Sequence, residues 1–259
     1  MDSKSPDQSP CPRSVGVVGA GRLGTALASA LAEAGVEVDG PAGRGGLPRG
    51  QAILLCVPDS EIPAAAAAAA GRAPLVGHTS GATPVAALAA AQTAGAAVFG
   101  LHPLQTFAGG ERPADFAGVG CAVAGSTPAA LAAARALAER IGMRPFELED
   151  ADRAAYHAAA SIASNFLVTL QAAAEDVAAA AGLPAGEARA LLAPLVRRTV
   201  ENWAELGPER ALTGPVARGD DATVERQRDA VAEVAPSLLA LFDELVERTR
   251  ALARAQVPA

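Results

Sequence analysis

Three histidines are the residues of this sequence best suited to proton chemistry. His78, His102 and His157 are the only imidazoles among the 259 residues, and an imidazole titrates near neutral pH. Each can give or take the proton that accompanies hydride transfer to a carbonyl or imine. His78 and His102 fall at the ends of predicted strands, where open α/β sheets bind ligands. His157 falls in a predicted helix, and all three are expected to face one cleft.

His157 begins a polar stripe on its helix. Ser161, Ser164 and Asn165 follow at i+4, i+7 and i+8, within a segment otherwise built of Ala, Ile, Phe and Leu. Such a stripe faces a cavity, a ligand or another polar helix. The alternative is that the small residues permit tight helix packing and that His157 is a hydrogen-bonded core histidine.

Structural roles also compete with chemical ones elsewhere. His102 has the alternative of a strand-end histidine that a backbone carbonyl satisfies, and for His78 such a structural role is favoured. Tyr156, the only tyrosine, points about 100° away from His157 on a helix, so it is predicted to be a packing residue. Trp203 is predicted to lie in the core or in a dimer interface.

A glycine-rich segment is the second chemical feature. It follows an apolar run over 14–18 and precedes an amphipathic helix. In this context Gly19 allows a tight turn, Gly21 lets the backbone approach a pyrophosphate, and Gly24 allows close packing of helix on strand. The N-terminus of the helix then faces the anion. The residues predicted to bind a dinucleotide are therefore Gly19, Ala20, Gly21, Arg22, Leu23 and Gly24.

The residues after the second predicted strand favour NADP(H) over NAD(H). An NAD-binding domain usually ends this strand with an acidic residue about 20 positions beyond the glycines. Asp39 is near that position but is predicted to lie inside the strand, whereas Arg44 follows in the turn where a 2′-phosphate would sit. Arg44, with Arg22 as a second candidate, is predicted to contact that phosphate. Solvated surface arginines are the alternative.

The order of the elements predicts a Rossmann domain followed by an all-α domain. Short β-like runs alternate with Ala-rich helical runs, which is the pattern of a doubly wound parallel α/β sheet. The β-like runs are 14–18, 36–39, 52–57, 74–79, 97–102, 120–125 and 143–148. Beyond about residue 150 the pattern is helical only, over 150–181, 184–205, 214–218, 221–232 and 235–255. We predict a disordered tail over 1–12, a Rossmann NADP-binding domain over 13–149 and an all-helical substrate and dimerisation domain over 150–259.

Composition limits the partners and the chemistry. The net charge of −7 opposes phosphate backbones and anionic lipid, which argues against nucleic acid and membranes and for a small-molecule ligand. No apolar stretch reaches the roughly 18 residues that cross a bilayer, and the N-terminus lacks a signal peptide, so a cytoplasmic protein is expected. Cys11, Cys56 and Cys121 lack metal-ligand spacing and are expected to be buried free thiols. The single lysine, Lys4, lies in the predicted tail.

Several segments, taken together and in order, resemble one family. They are CVPDSEI at 56–62, GHTSGA at 77–82, GLHPLQTF at 100–107, AYHAAASIASNF at 155–166 and LTGPVARGD at 212–220. This combination resembles the Rossmann-like family whose C-terminal half is the domain of unknown function numbered 2520, predicted to be NADP-dependent oxidoreductases. The family is similar to pyrroline-5-carboxylate reductase, prephenate dehydrogenase, ketopantoate reductase and 6-phosphogluconate dehydrogenase. The resemblance implies a helical domain of the 6-phosphogluconate dehydrogenase C-terminal type and a homodimer formed through it.

The resemblance also suggests roles for individual residues. Those that would border the nicotinamide ribose are Val57, Pro58, Asp59 and Ser80. Ketopantoate reductases and 6-phosphogluconate-type dehydrogenases carry a catalytic lysine, with an asparagine one turn on, where this chain has no lysine. His157, with Ser161 and Asn165 beside it, is the predicted replacement, and His102 is the rival proton donor.

A later segment offers substrate contacts. Thr213 supplies a hydroxyl, and Arg218 could clamp a carboxylate through its planar guanidinium. The alternative is a helix–helix connection in which Asp220 or Asp221 caps the next helix.

The leading prediction is an NADP(H)-dependent oxidoreductase acting on a small carboxylate-bearing 2-oxo acid, ketopantoate-like, or on an imine. One alternative is a non-catalytic dinucleotide-binding sensor or subunit, which the missing lysine favours. The other is an oxidative enzyme like prephenate dehydrogenase, suggested by the pair His102-Pro103.

Overall fold

The computed structural model describes residues 10–108 and 115–255. The chain divides into two compact units, after Ser164 rather than at the predicted boundary of 149. Of the predicted tail, residues 1–9 lie outside the described residues. Cys11 packs against the core and Pro12 is buried, so the packed chain begins about two residues earlier than predicted.

A seven-stranded sheet forms the centre of the first unit, in the order β2-β1-β3-β4-β5-β6-β7. The strands are β1 (Ser14–Val18), β2 (Glu37–Ala42), β3 (Ala52–Leu55), β4 (Leu75–His78), β5 (Ala97–Pro103), β6 (Gly120–Gly125) and β7 (Arg144–Glu147). The sequence predicts all seven, and the predicted Rossmann fold is confirmed. Only β5 and β6 pair antiparallel, which corrects the expectation of a fully parallel sheet. A parallel neighbour needs a crossover element, and the described residues between these two strands contain no helix.

Helices cover both faces of this sheet. They are α1 (Arg22–Glu33), α2 (Ile62–Ala69), α3 (Ala89–Thr93), α4 (Pro128–Arg140) and α5 (Arg153–Ala163). Successive residues of β3 enter opposite hydrophobic clusters: Leu54 packs with α1 and α4, whereas Ile53 packs with α2 and α3. This alternation is what a strand buried on both faces requires.

The second unit is helical. Its helices are α6 (Asn165–Ala180), α7 (Ala185–Leu206), α8 (Pro208–Ala211), α9 (Pro215–Arg218), α10 (Asp221–Val234) and α11 (Leu239–Arg254). Its buried hydrophobic residues are few, namely Ala188, Val224, Val231 and Val246. Trp203 is 56% exposed, so the prediction that it lies in the core is wrong, and an interface role remains a prediction.

The segment predicted as one helix over 150–181 is divided into a 3-10 turn and two helices. The 3-10 turn covers Asp150–Asp152, α5 ends at Ala163, and α6 begins at Asn165. Ser164 separates the two helices with φ −119° and ψ −72°, well away from regular helical angles. The polar stripe therefore does not run along one continuous helix, and Asn165 belongs to the second unit.

Candidate functional site

The loop between β1 and α1 is shaped by close backbone packing. Gly19 has φ +106°, which an L side chain rarely adopts, and its N–H donates to the Ala42 carbonyl at 2.8 Å. A Cβ on Gly19 would collide with the Cys56 carbonyl, and one on Gly24 would collide with the Gly19 carbonyl. These two glycines are required by the fold itself.

Gly21 has a different reason to be glycine. Its backbone is extended, and a Cβ built on it would meet no atom within 4 Å. It precedes α1, whose first turn has no side-chain cap and no acidic residue. The first N–H groups of α1 are therefore open to an anion, and the space above Gly21 fits a pyrophosphate.

The residues expected to distinguish NADP from NAD lie near the end of β2. Asp39 is inside this strand, as predicted, and its carboxylate accepts a hydrogen bond from the Arg49 N–H at 2.8 Å. Arg44 follows the strand, is 91% exposed, and pairs with Glu61 at 3.2 Å. The guanidinium of Arg22 instead donates to the Ala108 carbonyl at 2.9 Å. Arg44 is thus the more available cation for a phosphate.

A cavity of about 400 Å³ opens beside this loop, within the first unit. It lies where β3, β4 and β5 end, which is where open α/β sheets bind ligands. The predicted site residues that line it are Gly21, Arg22, Leu23, Val57, Asp59, Ser80, His102 and His157. The structure thus brings six of the eleven predicted cofactor residues and both predicted proton donors to one cavity. The predicted cofactor residues that do not line it are Gly19, Ala20, Gly24, Arg44 and Pro58.

His102 is held by a residue that the sequence did not single out for chemistry. Its Nδ1 lies 2.8 Å from the hydroxyl of Tyr156, and the two rings meet edge to face. The ring of His157 is 6.3 Å from that of His102. The rings of Tyr156 and His157, neighbours on α5, therefore both lie beside His102. The interpretation of Tyr156 as packing alone is therefore wrong.

Burial keeps two of the histidines neutral. It lowers the pKa of His102 to about 4, with further lowering by electrostatic interaction with His157 and Arg153. It also lowers the pKa of His78 to about 4, again helped by Arg153. Burial raises the pKa of the Tyr156 hydroxyl to about 12. At neutral pH these groups are hydrogen-bonding groups rather than charges.

His78 has the structural role that the sequence favoured. Its side chain is completely buried and is not part of the cavity lining. Its Nδ1 accepts a hydrogen bond from the Ser80 N–H at 3.2 Å. The Ser80 hydroxyl oxygen in turn accepts from the N–H groups of Ala82 and Thr83, so its hydrogen remains available to a ligand in the cavity.

Arg153 is a buried cation beneath the site, and sequence reasoning missed it. Only 1% of its side chain is exposed, and its Nε donates to the Asp150 carboxylate at 2.7 Å. Nη1 lies 3.4 Å from the Ser80 carbonyl, and a Cβ on Gly100 would be 2.8 Å from Nη2. Burial alone would raise the pKa of Asp150, but the hydrogen bonds from Arg153 and the Val85 N–H lower it overall. The signal available in the sequence was the Asp-x-x-Arg spacing directly after the last strand.

The remaining predicted residues do not line the cavity. Ser161 lies on α5, and Asn165, Thr213 and Arg218 lie in the second unit, where Thr213 and Arg218 are exposed. The Asp220 side chain accepts a hydrogen bond from the Thr223 N–H at 3.1 Å and caps α10, which is the alternative role expected for this segment. The substrate roles of these residues remain predictions.

Cysteine and metal chemistry have little support. Cys121 is buried and Cys11 and Cys56 are partly exposed, so the expectation of three buried thiols holds fully for Cys121 only. Cys56 and Cys121 are free thiols, and burial raises the pKa of each to about 12. Across 10–108 and 115–255, no group of three or more metal-binding side chains comes together. No helix in the same ranges is both long and apolar enough to span a membrane.

Comparison with known proteins decides the family. The model of the domain of unknown function DUF2520 matches residues 119–249, just over half of the chain. The chain belongs to this family. The DUF2520 match begins one residue before β6 and extends into α11, so it includes parts of both compact units. No curated protein matches the chain by sequence.

Solved structures share the fold of this DUF2520 protein. A proposed NADP oxidoreductase from Bacteroides fragilis has a TM-score of 0.75 at 22% identity, over 93% of this chain and 99% of that one. A protein from Thermotoga maritima has a TM-score of 0.74 at 24% identity, with the same coverage. A reductive aminase from Aspergillus terreus, in complex with NADPH and ethyl levulinate, has a TM-score of 0.63 at 16% identity, over 93% and 98% of the two chains.

Proposed function

We propose that this protein is an NADP(H)-dependent oxidoreductase. The observation that carries the proposal is one cavity lined by Gly21, at the open start of α1, and by His102 and His157. A reduced nicotinamide would supply a hydride there, and a proton donor must accompany it. The NADPH complex of the similar reductive aminase and the NADP assignment of the similar Bacteroides protein support the same cofactor.

Different residues of the chain would bind different parts of the cofactor. The loop 19–24 would bind the pyrophosphate through its backbone and the first turn of α1. Arg44 would bind the 2′-phosphate, with Glu61 as its present partner. The residues that would border the nicotinamide ribose are Val57, Pro58, Asp59 and Ser80. Pro58 does not line the cavity itself, so its part would be to shape the turn.

The substrate would be a small carbonyl or imine compound. The cavity offers the Ser80 hydroxyl and the two histidines as polar groups, and Leu23 and Phe107 as apolar walls. A carboxylate-bearing 2-oxo acid, ketopantoate-like, or an imine matches hydrogen-bond donors placed beside a hydride source. Ser161, Asn165, Thr213 and Arg218 are the further residues proposed to orient it.

Dinucleotide binding followed by turnover tests the function. Titration of the full chain with NADPH and NADH, followed by nucleotide fluorescence, should give tighter binding of NADPH. Loss of NADPH absorbance should then identify a substrate in a panel of 2-oxo acids and cyclic imines, with ketopantoate first. Failure to bind either nucleotide would refute the proposal. Binding without turnover across the panel would favour the non-catalytic sensor.

We also propose a homodimer formed through the second unit. Large hydrophobic side chains of α7 are exposed, with Leu191 at 60%, Leu195 at 64% and Trp203 at 56%. Exposed apolar faces of this kind mark interaction surfaces. Light scattering should give twice the monomer mass, and Leu195→Glu should shift the mass toward the monomer. A monomer mass at every protein concentration would contradict this.

A further inference from the structure

We propose that Tyr156 is a positioning residue whose hydroxyl donates to Nδ1 of His102, so that His102 presents Nε2–H to the substrate as a neutral imidazole. The placement of the proton within the pair is independent of any substrate. Its use in catalysis rests on the proposed function.

The direction of this bond depends on where each hydrogen can find a partner. The phenol has one hydrogen to donate, and in the described chain its only hydrogen-bond partner is Nδ1 of His102, at 2.8 Å. A neutral imidazole has one donor nitrogen and one acceptor nitrogen. Either tautomer leaves one polar hydrogen without a partner among the described residues, either that of the phenol or that of Nε2. His102 lines the cavity and Tyr156 does not, so a ligand can reach a hydrogen on Nε2 more readily than one on the phenol. On this ground we assign Tyr156 as the donor, Nδ1 as the acceptor and the imidazole proton to Nε2.

Packing holds the pair in this arrangement. The ring of Phe146 lies 5.9 Å from that of Tyr156, in an edge contact. On the other side, Gly81 lies against the imidazole, since a Cβ there would come within 2.7–2.9 Å of three ring atoms. His102 therefore has little freedom to turn and exchange its two nitrogens. The second ring nitrogen of His102, Nε2, makes no hydrogen bond within the described residues, and the His102 side chain lines the cavity.

The surrounding charges favour the neutral imidazole. The groups that face His102 are His157 and Arg153 from α5, His78 from β4 and Asp59 from the turn after β3. Burial is the largest influence on its pKa, and of these neighbours only Asp59 favours the imidazolium. The buried Arg153 guanidinium is a permanent positive charge. His102 would consequently act as a hydrogen-bond donor over the neutral range and not as a charged acid.

This arrangement assigns a path for one proton. As the substrate oxygen or nitrogen gains negative charge, it takes the proton of Nε2. Nδ1 takes the hydroxyl proton of Tyr156, so the imidazole stays neutral. After the product leaves, Nε2 takes a proton from water that enters the cavity and Nδ1 returns its proton to the Tyr156 oxygen, which restores the starting tautomer. His157 is then a neighbour of the donor and is not itself the donor.

Nitrogen NMR of the full chain tests the placement of the proton without a substrate. The chain has three histidines, so ¹⁵N-histidine labelling with one His→Gln variant for each assigns every ring. We expect His102 to give the pattern of an imidazole protonated on Nε2, constant between about pH 5 and pH 8. Tyr156→Phe should shift the Nδ1 resonance and produce a mixture of tautomers, whereas the control His157→Gln should leave the Nε2–H tautomer in place. A His102 ring protonated on Nδ1, or a ring unchanged by Tyr156→Phe, would overturn the proposal.

Steady-state kinetics on an identified substrate test whether the Tyr156–His102 pair acts in catalysis. We expect Tyr156→Phe to lower kcat at least tenfold and His102→Gln about a hundredfold, with NADPH affinity nearly unchanged in both. The double variant should be no slower than His102→Gln alone, because Tyr156 acts only through His102. Full turnover in Tyr156→Phe, or independent effects of the two changes, would refute the role of the pair. If the unaltered chain did not bind NADPH, the proposed function would be refuted, but the NMR result on the position of the His102 proton would still hold.

Discussion

The glycine-rich loop over residues 19–24 and His102 both contribute to the lining of one cavity but are built in different ways. The loop is one stretch of chain, and its proposed binding of a pyrophosphate would use backbone N–H groups and the open space at Gly21. His102 owes its chemistry to Tyr156, which is 54 residues away in the chain and on a different element. A site made from consecutive residues depends on local conformation, whereas a site made from distant residues depends on how the elements pack.

The largest expected effect concerns the local site, where two glycines can be compared. Gly24→Ala should lower the free energy of unfolding by roughly 3 kcal/mol or more, because its Cβ would collide with the Gly19 carbonyl. Gly21→Ala should leave stability nearly unchanged, since its Cβ has open space, yet weaken NADPH at least tenfold where the pyrophosphate approaches. Urea unfolding and nucleotide titration of both variants measure this difference. Equal NADPH affinity in Gly21→Ala and the unaltered chain would remove the loop from the binding site.

The buried histidines should make stability depend on pH. The unfolded chain protonates His78 and His102 near pH 6.5, whereas the folded chain does so only near pH 4. Below about pH 6.5 the unfolded state therefore binds more protons, and the free energy of unfolding should fall by roughly 2–4 kcal/mol between pH 7 and pH 5.

Urea unfolding, followed by circular dichroism at a series of pH values, measures this slope. His102→Gln should reduce it to about half, whereas Gly21→Ala should keep it, because the loop contributes no titrating side chain. A free energy of unfolding that is constant over this range would mean that the two histidines are not protected from protonation.

Arg153 influences His102 through its charge. Arg153→Met should cost about 2 kcal/mol of stability, because a buried ion pair is lost while Asp150 keeps access to water. It should also raise the pH at which the His102 ring titrates in the NMR experiment, because a neighbouring positive charge is removed.

The matched control for this change is Arg135→Met. Arg135 makes an exposed ion pair with Glu147 at 2.7 Å, and its loss should change the free energy of unfolding by no more than about 0.5 kcal/mol. A His102 titration unchanged by Arg153→Met would show that this guanidinium does not influence the imidazole.

The smallest expected effect concerns cofactor selection at the edge of the site. Arg44→Ala should weaken NADPH roughly tenfold and NADH much less, because a charge-assisted hydrogen bond to the 2′-phosphate is lost. Glu61→Gln should strengthen NADPH binding slightly, since the Arg44 guanidinium now forms an ion pair with Glu61. Equal losses for the two nucleotides in Arg44→Ala would contradict the assignment of the phosphate contact.

The contrast between consecutive and distant residues also explains which features could be predicted from the sequence. Periodicity predicted every strand, and the glycine spacing predicted a loop whose geometry fits a pyrophosphate, because both signals are local. The expected angle of about 100° between Tyr156 and His157 concerned one helix only, and it carried no information about β5, whose His102 ring lies beside both. Arg153 was missed for a similar reason, since only the packed structure shows its burial against Ser80 and Gly100. The antiparallel pairing of β6 likewise depends on a connection without a helix.

That pairing has a consequence for dissecting the protein. The family match starts at residue 119, so it includes β6 but none of β5, the strand to which β6 hydrogen-bonds over residues 121–125. A fragment cut to residues 119–249 would expose that edge of β6 to solvent and to other copies of itself, which is a recognised route to aggregation. It would also remove Val85 and Ser80, leaving Asp150 and Arg153 without their backbone partners. We therefore expect the stretch that identifies the family by sequence to fold poorly alone, and a recombinant fragment that keeps the strands before it to fold better.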